Sequence, residues 1–350
     1  MIFFWAIFVA VCGFEAKFAG ANQLHDDYIS PQSTNAVNGI FAFLIVMGHF
    51  VQYLNNYGTS DLPYIEIRSW LGQMVVATFF TYSGYGIFES FKKKGTAYIA
   101  SFPKNRMPKL LLHLDMAVLI YAALFLILGK KNTAPQFFLS LIGWEHIGNN
   151  NWFIFATLVF YVFTFISFMI FRRYKFAALC AVTLLTLGYI IIIRDFKDTY
   201  WYNSSICFPM GMWYSYFKNI IERIVMKNSI TYYLSLAAAL TAFILLKYDL
   251  GGFRQLKTYL LCCAFFAVCI ILISMKIKFG NPLLNWLGKH SFSIYMLQRV
   301  PMIVLNESGL LDKHPELSFI ITVAVTFVIA ALFDRLTNLI DSKLFRPKTA

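Results

Sequence analysis

Charge is scarce in this sequence. Asp, Glu, Lys and Arg make up 13% of 350 residues, against 59% hydrophobic and 18% aromatic. A soluble chain of this length has no use for so much apolar surface, so a polytopic helical membrane protein is expected, an all-α bundle of about 10–11 transmembrane helices. Long loops are lacking too: the widest gaps between apolar runs, 15–35 and 129–151, are too short for a soluble domain. There is no internal repeat and no low-complexity tract, which removes solenoid and tail architectures. No Gly-rich phosphate loop, nucleophile elbow or CxxC pair occurs. The six cysteines (Cys12, Cys180, Cys207, Cys262, Cys263, Cys269) all sit in apolar stretches, as small buried hydrophobes do, so neither a disulfide framework nor a metal site is implied.

What is present is a series of apolar runs long enough for membrane helices. Eleven are found, at 2–14, 36–54, 70–90, 108–128, 152–171, 176–193, 203–217, 229–246, 258–275, 290–306 and 317–340, the first and seventh short. The net charge of +13 raises nucleic acid as a partner, but the basic residues alternate between loops as membrane topology requires, so none is expected. One side holds 19 Lys and Arg, from Lys17 through Lys92–Lys94 and Lys104–Lys109 to Lys343, Arg346 and Lys348; the other holds nine, including Arg68, Lys130, Lys197 and Arg254. The positive-inside rule puts the richer side in the cytoplasm, with the N-terminus outside and the C-terminus inside. The first run lacks a basic leader region and reads as a membrane helix rather than a signal peptide.

Against this background His49 stands out. It ends the run NAVNGIFAFLIVMGH (35–49), where a charged side chain costs roughly 2–3 kcal/mol unless it has a task. At about 1.5 Å per residue it lies about 20 Å from the cytoplasmic end, with Asn38 about three turns earlier on the same face. A long substrate can lie along that face, with its reacting end at the imidazole. The competing reading is a neutral histidine hydrogen-bonded between helices.

Other polar groups break the apolar pattern. Ser291, Tyr295 and Gln298 fall at i, i+4 and i+7, with Arg299 beside them and Pro301 able to kink the helix. Arg299 is expected near mid-membrane, where it must pair. Either Asp115 holds it in a structural bridge or it contacts substrate. Ser83, Gly84, Tyr85 and Gly86 lie halfway along their run, and the glycines read first as sites of close helix packing. Outside, Trp144, Glu145, His146, Asn149, Asn150, Asn151 and Trp152 form a polar-aromatic mouth, suited either to sugar binding or to interfacial anchoring.

Six blocks in order carry a family resemblance: NGIFAFLIVMGH (38–49), ATFFTYSGYGIF (77–88), the basic segment 104–109, GNNNWFIFATLVFY (148–161), FPMGMWYS (208–215) and NPLLNWLGKHSFSIYMLQRVP (281–301). Together they resemble the integral-membrane acyltransferase-3 family, the O-acetyltransferases of bacterial envelope glycans. The resemblance implies an acyltransferase-like core over 36–306, preceded by an extra helix and cytoplasmic loop (1–35) and followed by a last helix and basic tail (307–350). It also implies the bacterial cytoplasmic membrane as location. The reaction implied is acetyl transfer from cytoplasmic acetyl-CoA, a substrate rather than a bound cofactor, to a hydroxyl of an envelope polysaccharide or its lipid-linked precursor. His49 would be the general base. Asn38, Arg106 and Lys109 would hold the donor. Ser83, Tyr85, Tyr295, Gln298 and Arg299 would contact substrate or transition state, and Glu145, Asn151 and Trp152 would line the acceptor mouth.

Two positions depart from the family pattern. Asn38 stands where an Arg or Lys is usual, and Gln298 where many members have His. The first removes a cation that would hold an anionic donor, so a catalytically silent relative is one alternative. A transporter or flippase of a lipid-linked glycan is another, and discontinuous helices with inverted repeats would favour it.

Overall fold

The computed structural model describes residues 2–55, 58 and 61–345; Arg346 and Lys348 of the expected basic tail lie outside them. The helices in chain order are α1 (Ile2–Gly13), α2 (Pro31–Phe50), α3 (Leu62–Leu71), α4 (Met74–Lys94), α5 (Thr96–Ala100), α6 (Met107–Ile127), α7 (Ala134–Leu141), α8 (Trp152–Ile170) and α9 (Lys175–Ile193). They continue with α10 (Cys207–Val225), α11 (Ser229–Tyr248), α12 (Leu256–Lys276), α13 (Pro282–Lys289), α14 (Ser291–Leu297), α15 (Arg299–Glu307), α16 (Leu310–Lys313) and α17 (Pro315–Leu344). Two short strands, β1 (Lys17–Phe18) and β2 (Ile277–Lys278), pair antiparallel and tie the segment after α1 to the end of α12.

Every expected apolar run coincides with a helix or a pair of helices. Among the described residues seven segments are long and apolar enough to cross a bilayer: Pro31–Tyr53, Thr96–Ile127, α8, α9, α11, α12 and α17. The more polar α4 and α10 reach 21 and 19 residues and pack along each other. Contact is close because both lack a side chain at the crossing. A Cβ on Gly84 would lie 2.0 Å from the carbonyl oxygen of Phe208, and one on Gly211 1.9 Å from that of Thr81. The pair α2 and α13 uses the same device, with Gly39 facing the carbonyl of Leu284 and Gly288 that of Asn35, at 2.1 and 1.8 Å. Small residues drive helix association in lipid, where apolar side chains gain little by leaving the solvent.

The run 290–306 is not one helix. It breaks at Gln298, between α14 and α15, because Pro301 has no N–H for the carbonyl four residues earlier and its ring crowds that carbonyl. The short helices α3, α7 and α13 lie outside the apolar runs, and their length hides them from a search for spans.

α2 sets the axis on which the site is built. Pro31 opens it, the Ser30 hydroxyl accepts from the Ser33 amide at 3.2 Å, and His49 is its penultimate residue, about 27 Å away. The bundle therefore has a Pro31 end and a His49 end. α17 is fastened near the Pro31 end by two carboxylates: Asp341 pairs with Lys109 at 2.6 Å and His113 at 3.1 Å, and Asp334 takes His290 and the Ser293 hydroxyl.

Candidate active site

The imidazole of His49 is met by the loop that enters α8. In that loop Asn149 and Asn151 are buried and spend their side chains internally. Asn149 accepts from the Ile147 amide at 3.2 Å and donates to Asn151, whose own amide reaches the carbonyls of Ser140 and Glu145 at 3.2 and 2.8 Å. Asn150, between them, is left pointing the other way, and its Nδ2 lies 2.8 Å from His49 Nε2. With Asn150 donating, Nε2 is the acceptor and the ring proton sits on Nδ1. Asn151 is thus a loop-forming residue, and its neighbour is the one that meets the base.

The broken helix supplies the opposite wall. Tyr295, on the last turn of α14, has its ring centroid 6.4 Å from that of His49. Gln298, at the break, is fully buried beside the imidazole and donates to the Tyr295 carbonyl at 3.1 Å. Arg299 opens α15, donates from Nη2 to Gln52 and lies 5.8 Å over the ring of Tyr53. Several buried polar atoms here have no hydrogen-bond partner, among them His49 Nδ1, Gln298 Oε1, the Tyr295 hydroxyl, Arg299 Nε and Gln73 Oε1. Buried polar groups are nearly always paired, so such a group of orphans around one imidazole marks a place built for another molecule's polar groups.

The expected bridge from Arg299 to Asp115 is not formed. The Tyr121 hydroxyl donates to the Met296 carbonyl at 3.0 Å, which sets Asp115, six residues earlier on α6, well below Arg299 toward the Pro31 end. Arg299 sits at the mouth rather than mid-membrane, and Asp115 Oδ1 has no partner.

Two polar cavities, of about 300 and 280 Å³, share His49, Gln52, Arg68, Gln73, Trp152 and Tyr200; Glu145, His146, Trp201 and Arg299 also line the second. A third, apolar cavity of about 130 Å³ runs past Tyr295 between Ile45, Val76, Phe79, Phe153, Ser291 and Phe292. Trp152, Glu145 and Asn151 line these cavities. Glu145 is bound by Lys197 at 2.8 Å. Gln52, Arg68, Gln73 and Tyr200 escape sequence reasoning: Arg68 and Tyr200 stand between the apolar runs and Gln52 and Gln73 near run ends, where polar residues are ordinary, and only the fold gathers them.

The other candidate residues lie elsewhere. Ser83 and Tyr85 line none of the cavities at His49. Tyr85 belongs to a cluster in which its ring centroid lies 6.1 Å from that of Tyr214 and Lys218 sits above it at 5.9 Å. Arg106 and Lys109 do not share a face: the π turn Phe102–Arg106 carries Arg106 over the rings of Tyr98, Phe102 and Tyr161, at 5.2 to 5.9 Å, while Lys109 reaches Asp341 on α17. Asn38 is half-buried on α2 with its Oδ1 unpartnered.

The model of the acyltransferase domain Acyl_transf_3 matches residues 33–335 of this chain, from the first turn of α2 into α17. Neither curated proteins nor solved structures give a match. With most of the chain covered by one family model and folded as a bundle of membrane-length helices, the chain belongs to the acyltransferase-3 family and is a multi-pass membrane acyltransferase.

Proposed function

We propose that this protein moves an acetyl group from acetyl-CoA to a hydroxyl of an envelope glycan or its lipid-linked precursor, with His49 as the base. The observation that carries this reading is that His49 lines two polar cavities, while an apolar cavity lies at Ile45, one turn earlier on α2, and at Tyr295. Polar cavities with aromatic walls open on one side of it. The apolar cavity past Tyr295 lies toward the bundle interior, suited to a thioester arm. The positive-inside count puts the Pro31 end in the cytoplasm, so the anionic end of the donor stays near Arg106 and Asn38 while its thioester reaches Tyr295. Lys109 is already neutralised by Asp341, which leaves Arg106 as the better phosphate contact.

In the reaction the acceptor hydroxyl takes the place of the Asn150 amide at Nε2 and gives up its proton there as its oxygen attacks the thioester carbonyl. The carbonyl electrons move onto oxygen, where Arg299 Nε–H is a free donor. Collapse of the intermediate breaks the carbon–sulfur bond, and the proton held by His49 passes to the departing thiolate. The break at Gln298 is one feature that a transporter would also show, yet it follows from Pro301, and the sequence carries no internal repeat to pair it with. Purified protein in detergent, given radiolabelled acetyl-CoA and a panel of envelope glycans, is expected to transfer label. His49→Ala is expected to lower the rate by at least about 100-fold, the low end of a general base's contribution. A His49→Ala protein as active as wild type would remove the base from this scheme.

A further inference from the structure

We infer that the acceptor is acidic: beside the sugar that receives the acyl group it carries a carboxylate or phosphate, and Arg68 binds that anion. This rests on the mouth at His49 being the acceptor side, as proposed above, and adds the chemical class of the acceptor.

The charges lining the mouth do not balance. Among the described residues its single carboxylate, Glu145, is occupied by Lys197 at 2.8 Å, and Lys197 is further held over the rings of Trp144 and Trp201 at 4.5 and 4.8 Å. Two guanidiniums remain, Arg68 and Arg299, and among the described residues neither has a carboxylate partner. Attack on a thioester creates one negative charge. Arg299, whose Nε is buried and unpartnered, can answer it, and Arg68 is then surplus.

Arg68 is not a stray surface cation. It projects from α3, outside the apolar spans, and its stem lies along α2 at the residue before the base: a Cβ placed on Gly48 would sit 3.6 Å from Arg68 Cγ. It lines both polar cavities, whereas Glu66, two residues earlier on α3, lines neither. Two like charges sharing a cavity raise each other's energy unless a ligand brings the counter-charge. The half-buried ring of Tyr200 lines the same cavity beside them, a flat surface for a pyranose ring. A guanidinium next to aromatic walls fits an acidic saccharide, because its planar donors match carboxylate and phosphate oxygens two at a time.

The test uses the full chain in detergent and three probes: an oligogalacturonate, the same oligomer with its carboxyls reduced to alcohols, and a glycerol-phosphate polymer. Binding is measured at low and high salt, with label transfer from acetyl-CoA in parallel. At least one anionic probe is expected to bind about tenfold or more tightly than the reduced oligomer, and salt should narrow the gap. Which anionic probe is preferred identifies the source of the charge. Arg68→Gln should bring the preference to parity and Arg68→Glu should reverse it, while Arg68→Lys, which keeps the charge, should retain part of it. Equal binding of the neutral oligomer, or a preference that survives Arg68→Gln and Arg68→Glu, overturns the inference. So does an Arg68→Gln protein that loses acetyl-CoA affinity with its acceptor preference intact, which would make Arg68 a donor contact. An Arg68-dependent preference in a protein whose transfer is untouched by His49→Ala would sustain the acidic acceptor and remove the base.

Discussion

Asn150 and His49, 101 positions apart, meet at 2.8 Å where the loop into α8 closes over the end of α2. The contact fixes the imidazole's rotation, and it can do so because Asn149 and Asn151 lock the loop from inside. A hydrogen bond of this kind contributes about 0.5–1.5 kcal/mol net. Because the acceptor hydroxyl takes Nε2 from Asn150 in the proposed reaction, the bond holds the ring only until the acceptor arrives, and Asn150→Ala is expected to leave kcat/KM for transfer unchanged or to raise it by up to roughly tenfold. An Asn150→Ala enzyme slowed tenfold or more would show that Asn150 stays on the imidazole throughout transfer and that the acceptor is not deprotonated at Nε2.

Gly84 and Gly86, two residues apart on α4, make a matched pair. Gly84 faces the Phe208 carbonyl at a distance no Cβ can occupy, while Gly86 has nothing within 4 Å. Gly84→Ala should push α10 away and cost about 1–3 kcal/mol, the range of overpacking in a tight interior. Gly86→Ala should be neutral or stabilising by up to about 1 kcal/mol, through helix propensity alone. Thermal unfolding of both variants in one detergent checks this; equal losses would mean that the crossing of α4 and α10 does not depend on Gly84.

Much of this architecture is legible in the residues themselves. The spans are read from their apolar runs, and His49, Tyr295, Gln298, Arg299 and Trp152 are conspicuous because polar or interfacial groups in or beside such runs need a reason. What is hidden has a physical cause in each case. Arg68 lies in an outer segment where polarity is unremarkable, and its importance comes from α3 folding over Gly48. Asn150 stands in a run of three asparagines, and only the hydrogen bonds of the loop separate the one that faces outward to His49 from the two that face inward. The pairing of Arg299 with Asp115 fails because depth along a helix, not scarcity of carboxylates, decides who meets whom. The π turn before α6 likewise separates Arg106 from Lys109, which an α-helical register would align.

Asp341 is nearly buried and serves two basic partners, Lys109 and His113. Removing the carboxylate orphans both, whereas removing Lys109, itself 45% exposed, leaves the His113 contact in place. Asp341→Asn is expected to cost about 3 kcal/mol, the low end for breaking a buried pair, and Lys109→Met no more than about 1 kcal/mol. A larger loss from Lys109→Met in unfolding experiments would contradict this order. If Lys109→Met instead weakened acetyl-CoA binding with stability intact, Lys109 would return as a donor contact.

Gln298 sets stability against activity. Its Oε1 and the Nδ1 of His49 are both buried, adjacent and unpartnered, so a small rotation of the carboxamide lets Oε1 accept the Nδ1 proton and hold the ring with Nε2 toward the mouth. Burying an unpaired carbonyl is unfavourable, and Gln298→Met removes it at nearly constant volume. The same change gives up the bond to the Tyr295 carbonyl, so the two effects offset, and stability should stay within about 1 kcal/mol of wild type. Transfer should nonetheless fall by about tenfold, since once the acceptor displaces Asn150 at Nε2 nothing at Nδ1 holds the imidazole in place. Unchanged turnover in Gln298→Met would reduce Gln298 to a filler at the helix break. A loss of folding together with turnover would show that its bond to the Tyr295 carbonyl holds α14 and α15 in place, and that any effect on His49 is secondary.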